Sequence, residues 1–392
     1  MRRVLHLNDY PGGTFGGAEV LMVRTVGLLR AAGWDARTFT QADLPDPRLT
    51  AVRYLDNRVA RRSLRRVLAD FAPDIVHLHN YYHVLSPAIL GELDRYKQRT
   101  SARVVMYAHD FHLVCPNSGA TWFRRGELNL ADFDRARSWA YLLGRRWDHR
   151  GWAYSVLKLV QHLWHYRVSG DRRRVIDLVL CPSRFMQNAI ARARRPTAHL
   201  PYPNPPFESR RADRPAELTL IFAGRIEPEK GLVQLLEMLP ANFGGRFRVV
   251  GDGVDRAAAE EICRRRGLSD RVEFLGRRPH AETMTLIAGA HVLVLPSRWF
   301  ENYPLSMLEA LAAGTNLLVA DCGGMREIVE DAGAGYRFAP NDAESVAEQL
   351  GKIAAAHKAG TLNSFDVTNF LTSRNEAAYV DRLLRIYAGE PA

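Results

Sequence analysis

Short apolar runs, each ending in a glycine-rich or polar loop and each followed by a helical pattern, recur along both halves of this 392-residue chain. In the first half "RVLHLN" reads as a strand, "PGGTFGG" as a glycine loop and "AEVLMVRTVGLLRAAG" as a helix closed by Gly33. "DIVHLH", "RVVMYAH" and "LVLCPS" continue the strand series. The second half repeats the scheme in "LTLIFAGR", "RFRVVGDG", "VEFLG", "HVLVLPS" and "NLLVAD". Alternating strands and helices of this kind predict an α/β protein with parallel sheets. Two such doubly wound domains facing each other would collect their loops, beyond the carboxyl ends of the strands, in one cleft.

The stretch "PYPNPPFESRRADRP" (201–215), rich in proline and charge, is the best candidate for a linker. Expected boundaries are a first domain at 1–203 with an aromatic and basic helical insert at about 117–170, a linker at 204–216, a second domain at 217–371, and a C-terminal helix within 372–392. That helix, with Ala377, Val380, Leu383, Leu384 and Tyr387 on its apolar side, is expected to return to the first domain.

Charge separates the halves. Residues 1–210 hold 33 basic and 18 acidic side chains, a balance of +15, and the remainder holds 21 and 25, a balance of −4. Basicity confined to one half implies modules with different partners. The start has too short an apolar run for a signal peptide, and no stretch approaches a bilayer span. Four scattered cysteines lack metal-ligand or disulfide spacing, so the expected setting is a reducing cytoplasm without structural zinc.

Candidate binding residues concentrate in the second half. Arg225 and Lys230 in "FAGRIEPEKG" share one loop after a strand, where two cations suit a diphosphate, although a charged surface loop is the commoner explanation. "VVGDGVD" is a glycine loop whose bare backbone admits a flat base or ribose. In "RWFENYPLSMLEALAAG", Pro304 suits a helix start and Gly314 its end, and the free N–H groups near Leu305 and Ser306 suit an anion. Glu301 precedes that start. Glu309 lies among apolar neighbours, suited either to a ribose diol or to a nearby backbone group or arginine.

Taken in order, "GRIEPEKG … VGDG … FLG … PSRWFENYPLSMLEALAAG" resembles the donor domain of family-4 retaining glycosyltransferases, and the resemblance extends from "GGAE" (16–19) to the C-terminal helix. It implies the GT-B fold: two Rossmann-like domains facing across a cleft, the last helix crossing back to the N-terminal one. The Glu-x7-Glu pattern is matched by Glu301 and Glu309. By resemblance Glu309 holds the nucleotide ribose, Glu301 lies by the donor sugar, and Arg225 and Lys230 grip the diphosphate. Gly224, Gly251, Asn302, Tyr303, Pro304, Leu305 and Ser306 complete the donor site, with the base read by backbone near Arg277 and Arg278. Asn302 stands where many members have glycine, which leaves the donor class open.

The first domain is expected to take the acceptor. In "YAHDFHLVCP", His109 occupies the position that similar enzymes place beside the reacting sugar, with Asp110 next to it. Gly16 and Gly17 resemble a flexible loop near the diphosphate, and His79 and Asn80 are further acceptor-side candidates. The implied reaction moves a sugar, with retention, from a nucleotide-diphosphate sugar to a hydroxyl of a glycan or lipid-linked acceptor, with no metal or other cofactor. A nucleotide-sugar 2-epimerase of the same fold and a catalytically silent binding protein stay open. Nucleic acid is not an expected partner, since neither a stacking platform nor a recognition motif is evident. The helix read in "RVARRSLRRVLADF" carries Arg58, Arg61, Arg62 and Arg65 on one face, which suits either an anionic membrane surface or a plain arginine-rich solvent side, and both readings stay open. Five of seven tryptophans fall between 122 and 164, in an insert read as helical, shaping the acceptor site and touching lipid.

Overall fold

The structure is a computed structural model that describes residues 2–390 except 13–15, 169–174, 205–212 and 241. Most of the expected linker therefore lies outside the described residues. The chain forms two compact units, Met1–Tyr202 with Ala377–Ala392, and Pro203–Glu376.

The first unit is built on β1 (Arg3–Leu7), β2 (Asp35–Phe39), β3 (Ile75–Leu78), β4 (Arg103–Tyr107), β7 (Leu178–Cys181) and β8 (Thr197–His199), all parallel and ordered β2-β1-β3-β4-β7-β8. Its central strands are buried along their length, which is why they read as unbroken apolar runs. Helix Glu376–Ala388 belongs to this unit: the Tyr379 hydroxyl bonds Thr25, and that of Tyr387 bonds His77 Nδ1.

The insert is not wholly helical. It opens with an antiparallel pair, β5 (Thr121–Arg124) and β6 (Glu127–Leu130). Arg125 and Gly126 both have positive φ, 51° and 88°, the geometry of a two-residue type I′ hairpin turn. Helices Trp139–Leu143 and Trp152–Leu163 follow, the latter running on into a π-helical stretch Trp164–Val168.

Helix Arg58–Phe71 is amphipathic as expected, but Ala60, Leu64, Leu68 and Phe71 are buried in the unit's own core. Of its arginines, Arg61 and Arg65 are tied to Glu92 at 3.0 Å each. Only the arginine face of this helix is therefore left for an anionic surface, and no apolar face remains to enter lipid.

The second unit carries β9 (Thr219–Ala223), β10 (Arg246–Val250), β11 (Val272–Gly276), β12 (Val292–Leu295), β13 (Asn316–Ala320) and β14 (Tyr336–Phe338), parallel in the order β11-β10-β9-β12-β13-β14. Strand order reverses direction at β9 and β12, and ligands of open α/β sheets settle at such a switch point, outside the carboxyl ends.

Candidate functional site

In the second unit the switch point is flanked by two loops that sequence reading had singled out. After β9 the chain passes Gly224 and Arg225 and makes a 3-10 turn at Pro228–Lys230, closed by Gly231 with φ 70°. After β12 it runs through Ser297, Trp299 and Glu301 to helix Leu305–Ala312. The two loops meet: Lys230 Nζ donates to Glu301 Oε1 at 2.7 Å. Ser297 Oγ and Trp299 Nε1 donate to the same oxygen at 2.8 and 2.7 Å, and the ammonium lies 5.0 Å from the Trp299 ring centroid. Burial alone would raise the Glu301 pKa. The Lys230 charge and the three hydrogen bonds outweigh it and hold the carboxyl below its ordinary value.

Two glycines explain how Glu301 comes to be there. A Cβ on Gly324 would sit 1.7 Å from the Asn302 carbonyl oxygen, and one on Gly323 would sit 2.7 Å from that of Glu301. The Gly324 N–H donates to the Glu301 carbonyl at 2.7 Å. The loop after β13 thus presses backbone to backbone on the loop bearing Glu301.

Gly251, read from sequence as a surface for a base, has a reason that requires no ligand. Its φ is 138°, and a Cβ would fall 1.8 Å from the Gly224 carbonyl oxygen, so the loops after β9 and β10 pack directly on each other. Arg225 is more than half exposed and 3.4 Å from Glu229; Arg277 is exposed just past β11. Pro304 is the N-cap residue of helix Leu305–Ala312, and no side chain caps it, so the first N–H groups at Leu305 and Ser306 are uncovered by any cap. Asn302 and Ser306 are half-buried and Tyr303 is buried. Glu309, on the same helix, has one oxygen 3.5 Å from His280 Nε2, and its side chain is about one-fifth exposed. Lys230 and Glu301 are thus brought into contact, while Arg225 and Glu309 are paired instead with Glu229 and His280, and Arg277 stands past the edge strand β11.

The first unit holds a second polar cluster, at its own switch point between β1 and β3. His6 Nδ1 and His79 Nε2 are 3.0 Å apart, His79 Nδ1 and His109 Nε2 2.8 Å, and His109 Nδ1 and the Tyr202 hydroxyl 2.9 Å. His6 Nε2 is buried without a partner. An orphan acceptor costs less than an orphan N–H, so His6 carries its proton on Nδ1 and donates to His79. His79 then donates to His109, and His109 to Tyr202. Burial drives the pKa of His6 down to about 3 and of His109 down to about 4, and those of His77 and His79 well below the usual range, so the array is neutral.

Ring nitrogens of His6, His77 and His79 lie close enough together to suggest a metal. The rings are instead stacked, with planes 11° to 29° apart and centroids 4.7–5.3 Å apart. Lone pairs in near-parallel planes do not converge on an ion at 2.0–2.1 Å.

Asp110 accepts from the Tyr82 hydroxyl and from the His112 backbone and ring. Burial would raise its pKa, but His112 and these bonds bring it below its usual value. Asn80 Oδ1 is buried without a partner. Gly16 is extended and precedes helix Gly17–Ala31.

Sequence reading missed Asp9. It accepts backbone N–H bonds from His83, Val84 and Leu85 at 2.8 Å each, tying the loop after β1 to the segment after β3, and burial pushes its carboxyl up to about 6. A carboxylate directly after a strand, in "LND", was the available signal. Ser297 and Trp299 were missed too, since nothing in sequence marks which oxygen they serve.

Residues 207–359 match the family described as "Glycosyl transferases group 1". Over 152 residues the chain is 32% identical to a glycogen synthase of Mycobacterium tuberculosis, covering 38% of this chain and 36% of that one. Over 150 residues it is 31% identical to D-inositol 3-phosphate glycosyltransferase of Nocardia farcinica, covering 36% and 33%. The matches span about a third of the length of these curated relatives. Among solved structures, sucrose-phosphate synthase from Thermosynechococcus elongatus aligns over 99% of both chains with a TM-score of 0.70 at 18% identity. HepE of Anabaena in complex with UDP aligns over 99% and 100% with a TM-score of 0.65 at 14% identity. These likenesses establish the fold as GT-B.

Proposed function

We propose, from the match of residues 207–359 to the family described as "Glycosyl transferases group 1" and from the family-4 motifs in that stretch, that this chain is a glycosyltransferase of family-4 type that transfers a sugar from a nucleotide-diphosphate sugar to a hydroxyl of a glycan or lipid-linked acceptor, retaining anomeric configuration. The observation that carries the reading is the Lys230–Glu301 contact at the switch point of a Rossmann-ordered sheet, beside an uncapped helix start. An ammonium and free N–H groups are what a diphosphate leaving group needs. The structurally similar HepE, solved with UDP, supports a nucleotide-linked donor.

In this reading the diphosphate competes with Glu301 for Lys230. Donor binding loosens the pair, turns the Glu301 carboxylate toward the sugar hydroxyls, and leaves Lys230 to stabilise charge on the departing phosphate, assisted by Arg225. Glu309 takes the ribose in exchange for its contact with His280. The acceptor hydroxyl attacks on the face the diphosphate leaves, and the departing phosphate receives its proton. The part given to His109 requires one of its two ring bonds to be exchanged for one to the sugar. These cations and N–H dipoles do the work that Mg²⁺ does elsewhere, so no metal is needed.

The test is sugar transfer from a donor found by thermal-shift screening of nucleoside diphosphates and their sugars. Lys230→Ala should lower turnover by about 10²–10³-fold, the loss typical of one oxyanion donor, and excess chelator should leave wild-type turnover unchanged. Normal transfer by Lys230→Ala refutes the site; loss of transfer in chelator refutes metal independence. Sugar release without any acceptor, with inversion at C2, would identify an epimerase instead.

A further inference from the structure

Helix Trp152–Leu163 and its π-helical continuation are amphipathic the wrong way round. The polar side chains face inward: Gln161 Nε2 donates to the carbonyls of Tyr54 and Tyr82 at 2.6 and 2.8 Å. His162 Nδ1 lies 3.2 Å from the His112 carbonyl, and His165 Nε2 lies 2.9 Å from that of Leu55. Buried Ser155 bonds the Gly151 carbonyl and the Asp148 N–H.

Outward, at intervals of four, stand Trp152 (59% exposed), Val156, Val160, Trp164 (55% exposed) and Val168. Such a stripe is about 24 Å long at 1.5 Å per residue. The neighbouring helix exposes Trp139 and Leu143, again four apart. Among the described residues, nine of the fourteen exposed large apolar side chains lie between 130 and 168, so the feature is a patch rather than scatter. The inward hydrogen bonds prevent the helix from rolling over to hide it, because each buried donor would lose its acceptor.

Charge selects the occupant. Residues 121–168 hold nine basic side chains against four acidic. Arg124, Arg125, Arg145 and Arg146 line a hollow with Trp122, Phe123 and Trp152 at one end of the stripe. Arg145 is planted over the rings of Tyr141 and Trp122, with its guanidinium carbon 3.5 and 4.8 Å from their centroids. An apolar helix face with tryptophan near both ends and an arginine rim is what an in-plane interfacial helix presents to lipid. Among the described residues no helix is long and apolar enough to cross a membrane.

We propose that this face docks on an anionic phospholipid bilayer, with Trp152, Val156, Val160 and Trp164 entering the headgroup boundary and the four arginines meeting lipid phosphates. The surface is independent of the donor site, and its test needs no sugar nucleotide.

The full chain is floated with vesicles of phosphatidylcholine plus phosphatidylglycerol, and with phosphatidylcholine alone, at low and high salt. Wild type should float with the anionic vesicles at low salt, and brominated lipid should quench its tryptophan emission. Replacing Trp152, Val156, Val160 and Trp164 together by serine should cut partitioning at least about tenfold, since binding scales with apolar area. Replacing Arg124 and Arg125 by glutamine should cost roughly fivefold per charge.

Any of three results overturns the proposal: no flotation by wild type, equal partitioning by the serine variant, or a wild-type dimer that this variant converts to monomer, which would make the face a contact between copies. Should the serine variant fail to fold by circular dichroism, bromine quenching of wild type decides, and its absence overturns the proposal.

Discussion

Replacing Glu301 by glutamine separates the two functions that the switch-point contact combines. The amide of the E301Q variant would keep an oxygen for Ser297 and Trp299, which donate at 2.8 and 2.7 Å, while the charge facing Lys230 disappears. The Lys230 and Glu301 side chains are 21% and 13% exposed, between a surface pair and a buried one. Surface pairs contribute about 0–1 kcal/mol, and removing a partner from a buried pair costs about 3–5 kcal/mol. Parting Lys230 from Glu301 therefore costs about 1–2 kcal/mol, and a diphosphate that binds by doing so loses that amount in wild type. E301Q should bind the free nucleoside diphosphate about 5–30-fold more tightly, yet transfer sugar slowly, because the carboxylate that orients the sugar is gone. The assay is calorimetric titration of wild type and E301Q with the diphosphate that most raises the melting temperature, beside initial rates with the corresponding sugar donor. Unchanged or weaker diphosphate binding by E301Q would show that Lys230 is not shared in this way, even if transfer is also lost.

Acid should unfold the first unit before the second. His6, His77, His79, His83, His109 and His162, all in the first unit, have depressed pKa values, against His291 alone in the second among the described residues. A histidine depressed in the folded state contributes stability that is complete above about pH 6.5 and is lost as pH falls toward the folded value. Between about pH 7.5 and 5.5 these histidines together cost the first unit several kcal/mol, while Asp9, whose pKa is raised, offsets a small part by taking up its proton. Hydrogen exchange read peptide by peptide distinguishes the units, and equal acid sensitivity would contradict the neutral array. Gly324→Ala should destabilise the second unit by about 1–3 kcal/mol and lower transfer at least tenfold without touching a reacting group, because its methyl displaces the Asn302 carbonyl and with it Glu301. Wild-type urea midpoint and rate in that variant would dismiss the backbone contact.

What was legible in the sequence was whatever is expressed as a run of like residues. The central strands of both sheets, buried on two faces, appear as "RVLHLN", "RVVMYAH", "LTLIFAGR" and "HVLVLPS", and no neighbour is needed to recognise them. β2, β8 and β14 went unread, and all three are sheet edges: "DARTF", "TAH" and "YRF" are short and partly polar, and partner strands rather than composition make them strands. The hairpin β5–β6 was hidden for a related reason, since its turn places a non-glycine residue at positive φ.

The donor-site residues were nameable from their order along the chain, but not their pairing. That Lys230 meets Glu301 depends on β9 and β12 being neighbours in the sheet, a relation between segments some seventy residues apart. Likewise the sequence from 152 to 168 was legible as helical, and only the tertiary structure decided which face is inside. A helix turns toward whichever side has partners, and here the carbonyls of Tyr54, Leu55, Tyr82 and His112 held the polar side in and left the tryptophans facing out.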